Sequence, residues 1–468
     1  MRRAVLAWLL LVPVAGLAVA RQEAFPPGEV VQQVACLAAP EFTYSLYLPG
    51  NYDTATTWPI LFIMDPRGRA PMALELFREG AERLGFILVS SYDTRSDMPR
   101  DRNIESLKAL LPDTEKRLSI DTSRIYLTGF SGTARTAWVL AKALRGHVVG
   151  IIGIGGGLPA AFDPAQVPVV FFGGAGSTDF NYEEMRELDR SLDRTPITHR
   201  FVVWEGPHSW PPAEVAGRSL EWMQLQAMKS GLQPKNEPWS AQLLRARLEE
   251  AQSLQEGGRS FDAFLVYRAI EQDFAGLQDV AGAAARAREL GRSREVKRVR
   301  ARQDRFTAEY TTYRDRFWSF VETLQGKKKV RMEKLPAFLR LDALLARARQ
   351  QEDRPDADAA QRILSMVFVQ ASFYQPTEFL ENGKPGAALA MLRIAAVIRP
   401  QHPRVCLQQS RTYAQLSRNK EALESLRCAL ESGMVPPALV DGDNYLAPLR
   451  ADPAYRKMIE TARAAADG

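Results

Sequence analysis

Strand-like and helix-like runs alternate between residues 42 and 220, and this alternation restricts the chain to few architectures. Most of the strand-like runs are unbroken stretches of β-branched and aromatic residues, which is typical of strands that helices cover on both faces. Amphipathic runs such as 72–84 and 104–118 separate them. The pattern therefore predicts an α/β fold with a doubly wound, mostly parallel sheet. The predicted strands span 42–48, 60–64, 86–90, 124–130, 148–154, 169–172 and 200–205, and the first of these alternates as an edge strand does.

The composition of the chain changes after Trp222. Residues 231–238 are rich in glycine and proline and predict a linker. Beyond them the chain is rich in Ala, Leu, Arg and Glu, and every pattern is helical. We therefore expect an α/β domain over 21–230, the linker over 231–238 and an all-α domain over 239–468.

The helical half contains a repeat of 34 residues with an aromatic, a small, a large and a small residue at fixed offsets. The two copies are Phe379, Ala388, Leu392, Ala395 and Tyr413, Ala422, Leu426, Ala429. This period and pattern resemble the tetratricopeptide repeat, in which stacked helix pairs form an extended binding surface for a partner or substrate. In this register Cys406 and Cys428 lie on the two helices of one unit, so they form either a disulfide or two buried thiols.

The N-terminus has the pattern of a processing segment. Arg2 and Arg3 precede an apolar stretch over 4–19, and Ala18-Val19-Ala20 is a cleavage site of the small-x-small type. Residues 1–20 are therefore predicted to be a signal peptide, with an uncleaved membrane anchor as the alternative. We expect a secreted or periplasmic protein with no membrane span in the mature chain.

Charge and histidine content exclude two functional classes. The net charge of +6 is small for 468 residues, and no recognition motif accompanies the basic clusters, so no nucleic-acid partner is expected. The four histidines are scattered without the spacing of metal ligands. No cofactor or metal is implied.

A serine lies where a strand turns sharply into a helix. The segment Gly129-Phe130-Ser131-Gly132-Thr133 joins the predicted strand over 124–128 to a helical run over 134–143. Such an elbow displays a nucleophilic serine, and small neighbours prevent clashes. The sequence therefore predicts Ser131 as a nucleophile; the alternative is an ordinary loop serine. Thr133 departs from the Gly or Ala that is usual at its position.

Two further residues complete a triad in the order serine, acid, histidine. Asp179 follows the strand over 169–172 and a glycine-rich turn; its alternative role is a cap for the helix after it. His208 follows the strand over 200–205 on a Gly-Pro loop; its alternative is an exposed loop histidine. We predict that His208 is the general base and that Asp179 orients its imidazole.

Acyl transfer also needs N–H donors for the developing oxyanion. The first expected donor is the backbone N–H of Gly132, directly after the nucleophile. The second is expected from the loop after the strand over 60–64, where Pro66 has no N–H, so that Arg67 or Gly68 must donate; Arg67 is the predicted donor. The alternative is that Asp65 and the two arginines of this loop form a structural salt bridge.

Residues 40–225 resemble the α/β-hydrolase family, in particular the exported esterases of the polyhydroxybutyrate depolymerase, feruloyl esterase and dienelactone hydrolase kind. The resemblance implies a serine hydrolase that cleaves small or polymeric acyl esters, with the helical repeats binding a protein partner or a large substrate. The alternatives are a peptidase on the same fold and a non-catalytic, hydrolase-like binding scaffold. No insertion long enough for a large lid lies between the predicted strands, so an open site is expected. We also expect a fragment that ends near Pro234 to fold and to keep small-ester activity.

Overall fold

The structure is a computed structural model of the chain, and it describes residues 25–96, 101–326, 339–350 and 352–467. The predicted signal peptide, residues 1–20, lies outside these ranges. Among the helices of the described ranges, none is both long and apolar enough to span a lipid bilayer.

An eight-stranded sheet forms the first half of the molecule. The strands lie in the order β1-β2-β4-β3-β5-β6-β7-β8. Strand β2 is antiparallel to β1 and to β4, and all the other neighbours are parallel. The predicted α/β fold class is thereby confirmed. The strands are β1 Val30–Ala35, β2 Thr43–Tyr47, β3 Trp58–Met64, β4 Ile87–Ser91, β5 Ile120–Phe130, β6 Val148–Ile154, β7 Val170–Gly176 and β8 His199–Trp204.

Helices cover both faces of this sheet. On one face, α1 (Ala70–Leu84) and α5 (Ala213–Lys229) bury Phe77 and Leu220 against it. On the other face lie α2 (Asp101–Arg117), α3 (Gly132–Ala143) and α4 (Tyr182–Leu192). Apolar side chains from the strands enter both cores, which explains the unbroken hydrophobic runs of the sequence. The connectivity is that of an α/β-hydrolase fold.

The prediction of the sheet edge was wrong. The edge strand next to β2 is β1, which the sequence analysis missed, and β2 is paired on both sides. Strand β1 is irregular, because its register shifts between Val31 and Val34 and Gln33 adopts a φ of 54°. Ser45 is one of the polar residues that give β2 its alternating pattern. Its side chain is nevertheless fully buried, and its hydroxyl donates to the hydroxyl of Tyr92 at 3.0 Å. Alternation therefore did not indicate an exposed face here.

The second half is helical in every described element, which confirms the all-α prediction for this part of the chain. A π-turn at Gln370–Tyr374 continues α11 into α12. The helices are α6 Glu237–Glu256, α7 Ser260–Phe274, α8 Ala281–Arg292, α9 Arg294–Gln325, α10 Leu341–Ala348, α11 Arg354–Val369, α12 Gln375–Glu381, α13 Pro385–Ile398, α14 Pro403–Gln415, α15 Asn419–Glu431, α16 Pro437–Asp441 and α17 Pro453–Asp467.

The helical region packs directly on the sheet region. Leu225 and Met228 of α5 share a hydrophobic core with α6, α7 and α8. Asp273 of α7 accepts hydrogen bonds from Trp222 Nε1 at 2.9 Å and from Arg200 Nη2 at 2.5 Å. The breaker-rich segment 231–238 joins α5 to α6, and its last two residues, Glu237 and Pro238, already belong to α6. The two halves therefore share buried surface and an ion pair.

Two helix pairs span the two copies of the 34-residue pattern. The pair α12–α13 carries the first copy of the pattern, and the pair α14–α15 carries the second. The small and large positions of both copies, Ala388, Leu392, Ala395, Ala422, Leu426 and Ala429, are fully buried. A disulfide joins Cys406 of α14 to Cys428 of α15, whereas Cys36 is a buried free thiol whose pKa burial raises to about 12.

Candidate active site

Ser131 lies between the end of β5 and the first residue of α3. Its backbone adopts φ 59° and ψ −124°, a conformation that costs free energy in a residue with a side chain. The N–H of Ser131 donates to the carbonyl of Ile154 in β6 at 2.8 Å, which fixes the turn to the neighbouring strand. The turn is tight enough that a Cβ at Gly129 would lie 2.5 Å from the carbonyl of Thr133. The sequence therefore folds here into the predicted elbow.

Thr133, the departure from the usual elbow pattern, has a structural role. Its side chain is fully buried, and its hydroxyl donates to the carbonyl of Met64 at 2.6 Å. The same hydroxyl accepts from the N–H of Phe130 at 3.0 Å. Thr133 thus ties the end of β3 to the turn that displays Ser131, which a Gly or an Ala could not do.

His208 connects Ser131 to Asp179. Its Nε2 lies 3.0 Å from Ser131 Oγ, and its Nδ1 lies 2.8 Å from Asp179 Oδ1. Because an ionised carboxylate can only accept, Nδ1 carries the proton and Nε2 is free to accept from the serine hydroxyl. The three residues that the sequence singled out are thus joined by hydrogen bonds in the order a triad requires.

Two aromatic rings pack against the imidazole of His208. The ring centroid of Phe130 lies 4.5 Å from it, and that of Phe180 lies 4.1 Å from it. Phe130 belongs to the end of β5, and Phe180 directly follows Asp179. The two rings restrict the rotation of the imidazole about its hydrogen bonds.

The loop that carries Asp179 is fixed on several sides. Asp179 is 1% exposed, and its Oδ1 also accepts from the N–H of Asn181 at 2.7 Å. The side chain of Asn181 donates to the carbonyl of Gly155 at 2.7 Å. The N–H of Thr178 donates to the carbonyl of Gly206, two residues before His208, at 2.9 Å. The loop that carries Asp179, residues 177–181 (the acid loop), is therefore joined by backbone hydrogen bonds to the loop that carries His208, residues 205–210 (the histidine loop).

The loop after β3 does not present the expected oxyanion donor. The N–H of Arg67 donates to Asp65 Oδ1 at 2.8 Å, and that of Gly68 donates to the Asp65 carbonyl at 3.1 Å. The geometry therefore does not support the prediction for Arg67, because its N–H already has a buried acceptor. It agrees with the alternative of a salt bridge, which Asp65 forms with Arg69 at 2.9 Å. The N–H of Gly132 opens α3, where helical N–H groups have no intrahelical acceptor.

Asp65 is the buried centre of this loop. Besides Arg67 and Arg69, it accepts from Nε1 of Trp210, two residues after His208, at 2.9 Å. Burial acts to raise the pKa of the Asp65 carboxyl, but its hydrogen bonds to Arg69 and Trp210 outweigh burial and lower it. The ionised carboxylate therefore connects the loop after β3 to the loop that carries His208.

The site is partly enclosed, although the sequence predicted no large lid and a rather open site. Helices of the second half cover it, and a cavity of about 970 Å³ extends from Ser131 and Gly132 to α9, α11 and the π-turn. The cover comes from the C-terminal half of the chain and not from an insertion between strands, so the spacing of the strands did not reveal it. Within the described ranges, His, Cys, Asp and Glu side chains form no cluster able to hold a metal ion.

Helix α9, which lies over the site, contacts the acid loop and the start of α4 directly. The hydroxyl of Tyr310 in α9 donates to the carbonyl of Phe180 at 3.3 Å, and that of Thr307 donates to Glu183 at 2.8 Å. Phe180 packs against the hydrophobic core of the helical region as well as on His208. These contacts were missed because residues from distant parts of the sequence make them and no local pattern marks them.

No protein-family model and no curated protein sequence matches the chain. Solved structures similar to it include a ferulic acid esterase, at 15% identity over 42% of this chain and 96% of that chain, with a TM-score of 0.36. The fluorophosphonate-binding serine hydrolase F of Staphylococcus aureus matches at 10% identity over 42% and 98%, with a TM-score of 0.35. A hyperthermophilic esterase of the archaeon Pyrobaculum calidifontis matches at 14% identity over 43% and 87%, with a TM-score of 0.35. At these values the similarity assigns no activity to this chain.

Proposed function

We propose that the chain is a serine hydrolase that cleaves carboxylic esters, with Ser131 as nucleophile, His208 as general base and Asp179 as the acid that orients it. The observation that carries this proposal is the hydrogen-bonded series from Ser131 Oγ to His208 Nε2, at 3.0 Å, and from His208 Nδ1 to Asp179 Oδ1, at 2.8 Å. A serine held at φ 59° supports it further, because backbone strain of this kind concentrates at functional sites.

The reaction follows from these positions. Ser131 Oγ attacks the ester carbonyl while its proton passes to His208 Nε2, and Asp179 stabilises the imidazolium that forms. The tetrahedral oxyanion accepts a hydrogen bond from the Gly132 N–H. His208 then gives the proton to the leaving alcohol, and an acyl-enzyme remains. A water molecule, deprotonated by His208, repeats the sequence, releases the acid and restores Ser131.

The ordered surroundings of the imidazole favour an active hydrolase over an idle scaffold. An inactive scaffold has no use for a histidine packed against Phe130 and Phe180 with both ring nitrogens engaged. Pre-set orientation of this kind lowers the free energy needed to reach the transition state.

We also propose an oxidising, extracytoplasmic location and two tetratricopeptide-like repeats over α12–α15. The disulfide between Cys406 and Cys428 supports the location, because such bonds persist in oxidising compartments. The burial of all six small and large positions of the 34-residue pattern supports the repeats. A protein partner for the repeats is part of this proposal.

A fluorophosphonate probe and a short ester test the function on the full chain. We expect covalent labelling of the parent protein, none of Ser131→Ala, and a loss of p-nitrophenyl acetate hydrolysis on the order of 10⁴–10⁶-fold in that variant. Ser209→Ala is the matched control, because Ser209 is a loop serine next to His208 whose hydroxyl donates to the carbonyl of Pro207, and it should label like the parent. Labelling that persists in Ser131→Ala would place the nucleophile elsewhere. Parallel assays with peptide substrates separate an esterase from a peptidase.

A further inference from the structure

The cavity at Ser131 is larger than a short ester requires. Its volume of about 970 Å³ is at the upper end of the range for pockets that enclose a drug-sized ligand. An acetyl group attached to Ser131 would leave most of this volume to solvent. The size of the cavity therefore indicates a substrate with a substantial group beyond the scissile bond.

One wall of the cavity is a single face of α9. Thr307, Tyr310, Arg314 and Trp318 line it at spacings of three or four residues, as residues on one side of a helix do. The hydrogen bond of Tyr310 to the Phe180 carbonyl fixes the near end of this face beside the acid loop. Because a helix rises about 1.5 Å per residue, Trp318 lies roughly 12 Å farther along the helix than Tyr310.

Two large aromatic side chains of the cavity lining are partly exposed. Trp318 and Tyr374 are each 38% exposed, although Phe317, the neighbour of Trp318, is fully buried in the helical core. Tyr374 ends the π-turn, a local widening of the helix that is frequent at functional sites. Met366 and Val369 of α11 also line the cavity. Exposed aromatic rings that line a cavity are typical of a ligand site.

The charges of the lining do not favour an ionic ligand. Four arginines and four glutamates face the cavity, so their charges balance, and Arg135 is paired with Glu184 at 2.7 Å. The four arginines are Arg135, Arg190, Arg194 and Arg314, and the four glutamates are Glu183, Glu184, Glu187 and Glu378. The lining therefore offers no excess of one charge to an ionic group, and Trp318, Tyr374, Met366 and Val369 supply apolar surface to it.

We propose that Trp318 and Tyr374 form a distal subsite that binds a bulky, uncharged apolar group of the substrate, an aryl ring or a long alkyl chain. The inference rests on the proposed function, since the bound molecule is the ester that Ser131 attacks. The helical region thereby supplies substrate specificity to a nucleophile carried by the sheet region.

Hydrolysis of a short and a long ester tests the subsite. For Trp318→Ala we expect kcat/KM on p-nitrophenyl decanoate to fall roughly tenfold, as loss of much of one buried aromatic contact implies, with no change on p-nitrophenyl acetate. Trp318→Phe should restore most of the loss. Leu265→Ala is the control, because Leu265 is an exposed apolar residue of α7 outside the cavity lining. Equal losses on both esters, or no loss on the long one, would overturn the subsite.

A binding measurement separates failure of the subsite from failure of the proposed chemistry. Methyl decanoate is titrated into the Ser131→Ala variant and, separately, into the double variant Ser131→Ala/Trp318→Ala. The heat of binding is measured by calorimetry. We expect binding to the first protein and about tenfold weaker binding to the second, whether or not the parent hydrolyses any ester. Equal affinity of the two proteins contradicts the subsite, and binding without hydrolysis in the parent contradicts only the proposed function.

Discussion

The guanidinium of Arg362 donates a hydrogen bond to the backbone carbonyl of Ser177, at 2.9 Å, across 185 residues of sequence. The same guanidinium lies 3.6 Å from the carboxylate of Glu183 and 4.2 Å above the ring of Tyr182. Arg362 belongs to α11 and is 7% exposed. Because Ser177 and Glu183 flank Asp179, one side chain of the helical region holds the acid loop from both sides.

Arg362→Ala should lower kcat on p-nitrophenyl acetate on the order of 10²-fold with little change in KM. The reason is that a displacement of about 1 Å at the acid loop misaligns His208 without removing any contact to a small substrate. Arg362→Lys should recover part of the rate, since it keeps a charge beside Glu183. Steady-state kinetics of each variant give kcat and KM, and thermal unfolding checks that each variant is folded.

Arg354→Ala is the matched control for this position. Arg354 also pairs across the two regions, with Glu205, but both side chains are exposed and neither contacts the acid loop. We expect its kcat to equal that of the parent. If Arg354→Ala and Arg362→Ala lost activity equally, the effect would come from the interface in general and not from the acid loop.

A fragment that ends near Pro234 should be inactive, contrary to the expectation from the sequence. Truncation at Pro234 removes the helices that cover Leu225 and Met228 and takes Asp273 away from Arg200 and Trp222. It also removes the helical core against which Phe180 packs. Solubility, thermal unfolding and fluorophosphonate labelling of the fragment measure the outcome. A soluble fragment with the small-ester turnover of the full chain would show that the cover is dispensable for the chemistry.

Thr133→Val should destabilise the protein by about 1–3 kcal/mol, although valine has nearly the same shape. The substitution leaves the N–H of Phe130 and the carbonyl of Met64 buried without their hydroxyl partner. Thr133→Ser keeps that hydroxyl and should cost much less. The free energy of unfolding from urea titration distinguishes the two; equal losses would mean that the methyl group, and not the hydroxyl, matters.

His199→Gln should destabilise the protein more in acid than in alkali. Burial acts to lower the pKa of His199, but Asp189 at 3.3 Å and Asp193 at 3.6 Å outweigh it and raise the pKa. Folding therefore favours the charged imidazole. This contribution is complete below the unfolded value of about 6.5 and is lost as the pH rises through the higher folded value.

Urea midpoints of the parent and of His199→Gln at about pH 5.5 and pH 8.5 test this sign. His147→Gln is the control, because His147 is exposed. The difference in unfolding free energy between parent and His199→Gln should shrink at the higher pH, and His147→Gln reports the general effect of replacing a histidine by glutamine. A difference for His199 that grew with pH would contradict the assignment of its partners.

The positions of the strands and of Ser131, Asp179 and His208 could be predicted because each depends on a local signal. A buried strand, a small-residue turn and a following helix all occur within about 20 residues of sequence. Seven of the eight strands were found for this reason. Strand β1 was missed because its bulge at Val31–Val34 breaks the period on which detection depends.

The cover over the site could not be predicted, because it depends on contacts between distant residues. Arg362, Tyr310 and Phe180 each have an ordinary helical or loop setting in the sequence, and their roles appear only when the two halves pack together. The prediction that the Arg67 N–H donates to the oxyanion is not supported by the geometry, for a different reason. The sequence showed a carboxylate and N–H groups in one loop, but only the fold decides that Asp65 is buried and accepts from them.

The position of Arg362 late in the chain also orders events during biosynthesis. The ribosome completes Ser131, Asp179 and His208 well before it reaches α11, and at roughly 5–20 residues per second this interval is on the order of ten seconds. Until α11 has been made and has docked, Ser177 and Glu183 lack their contacts with Arg362. A nascent chain that ends before α11 therefore carries Ser131, Asp179 and His208 with an acid loop that Arg362 does not yet hold.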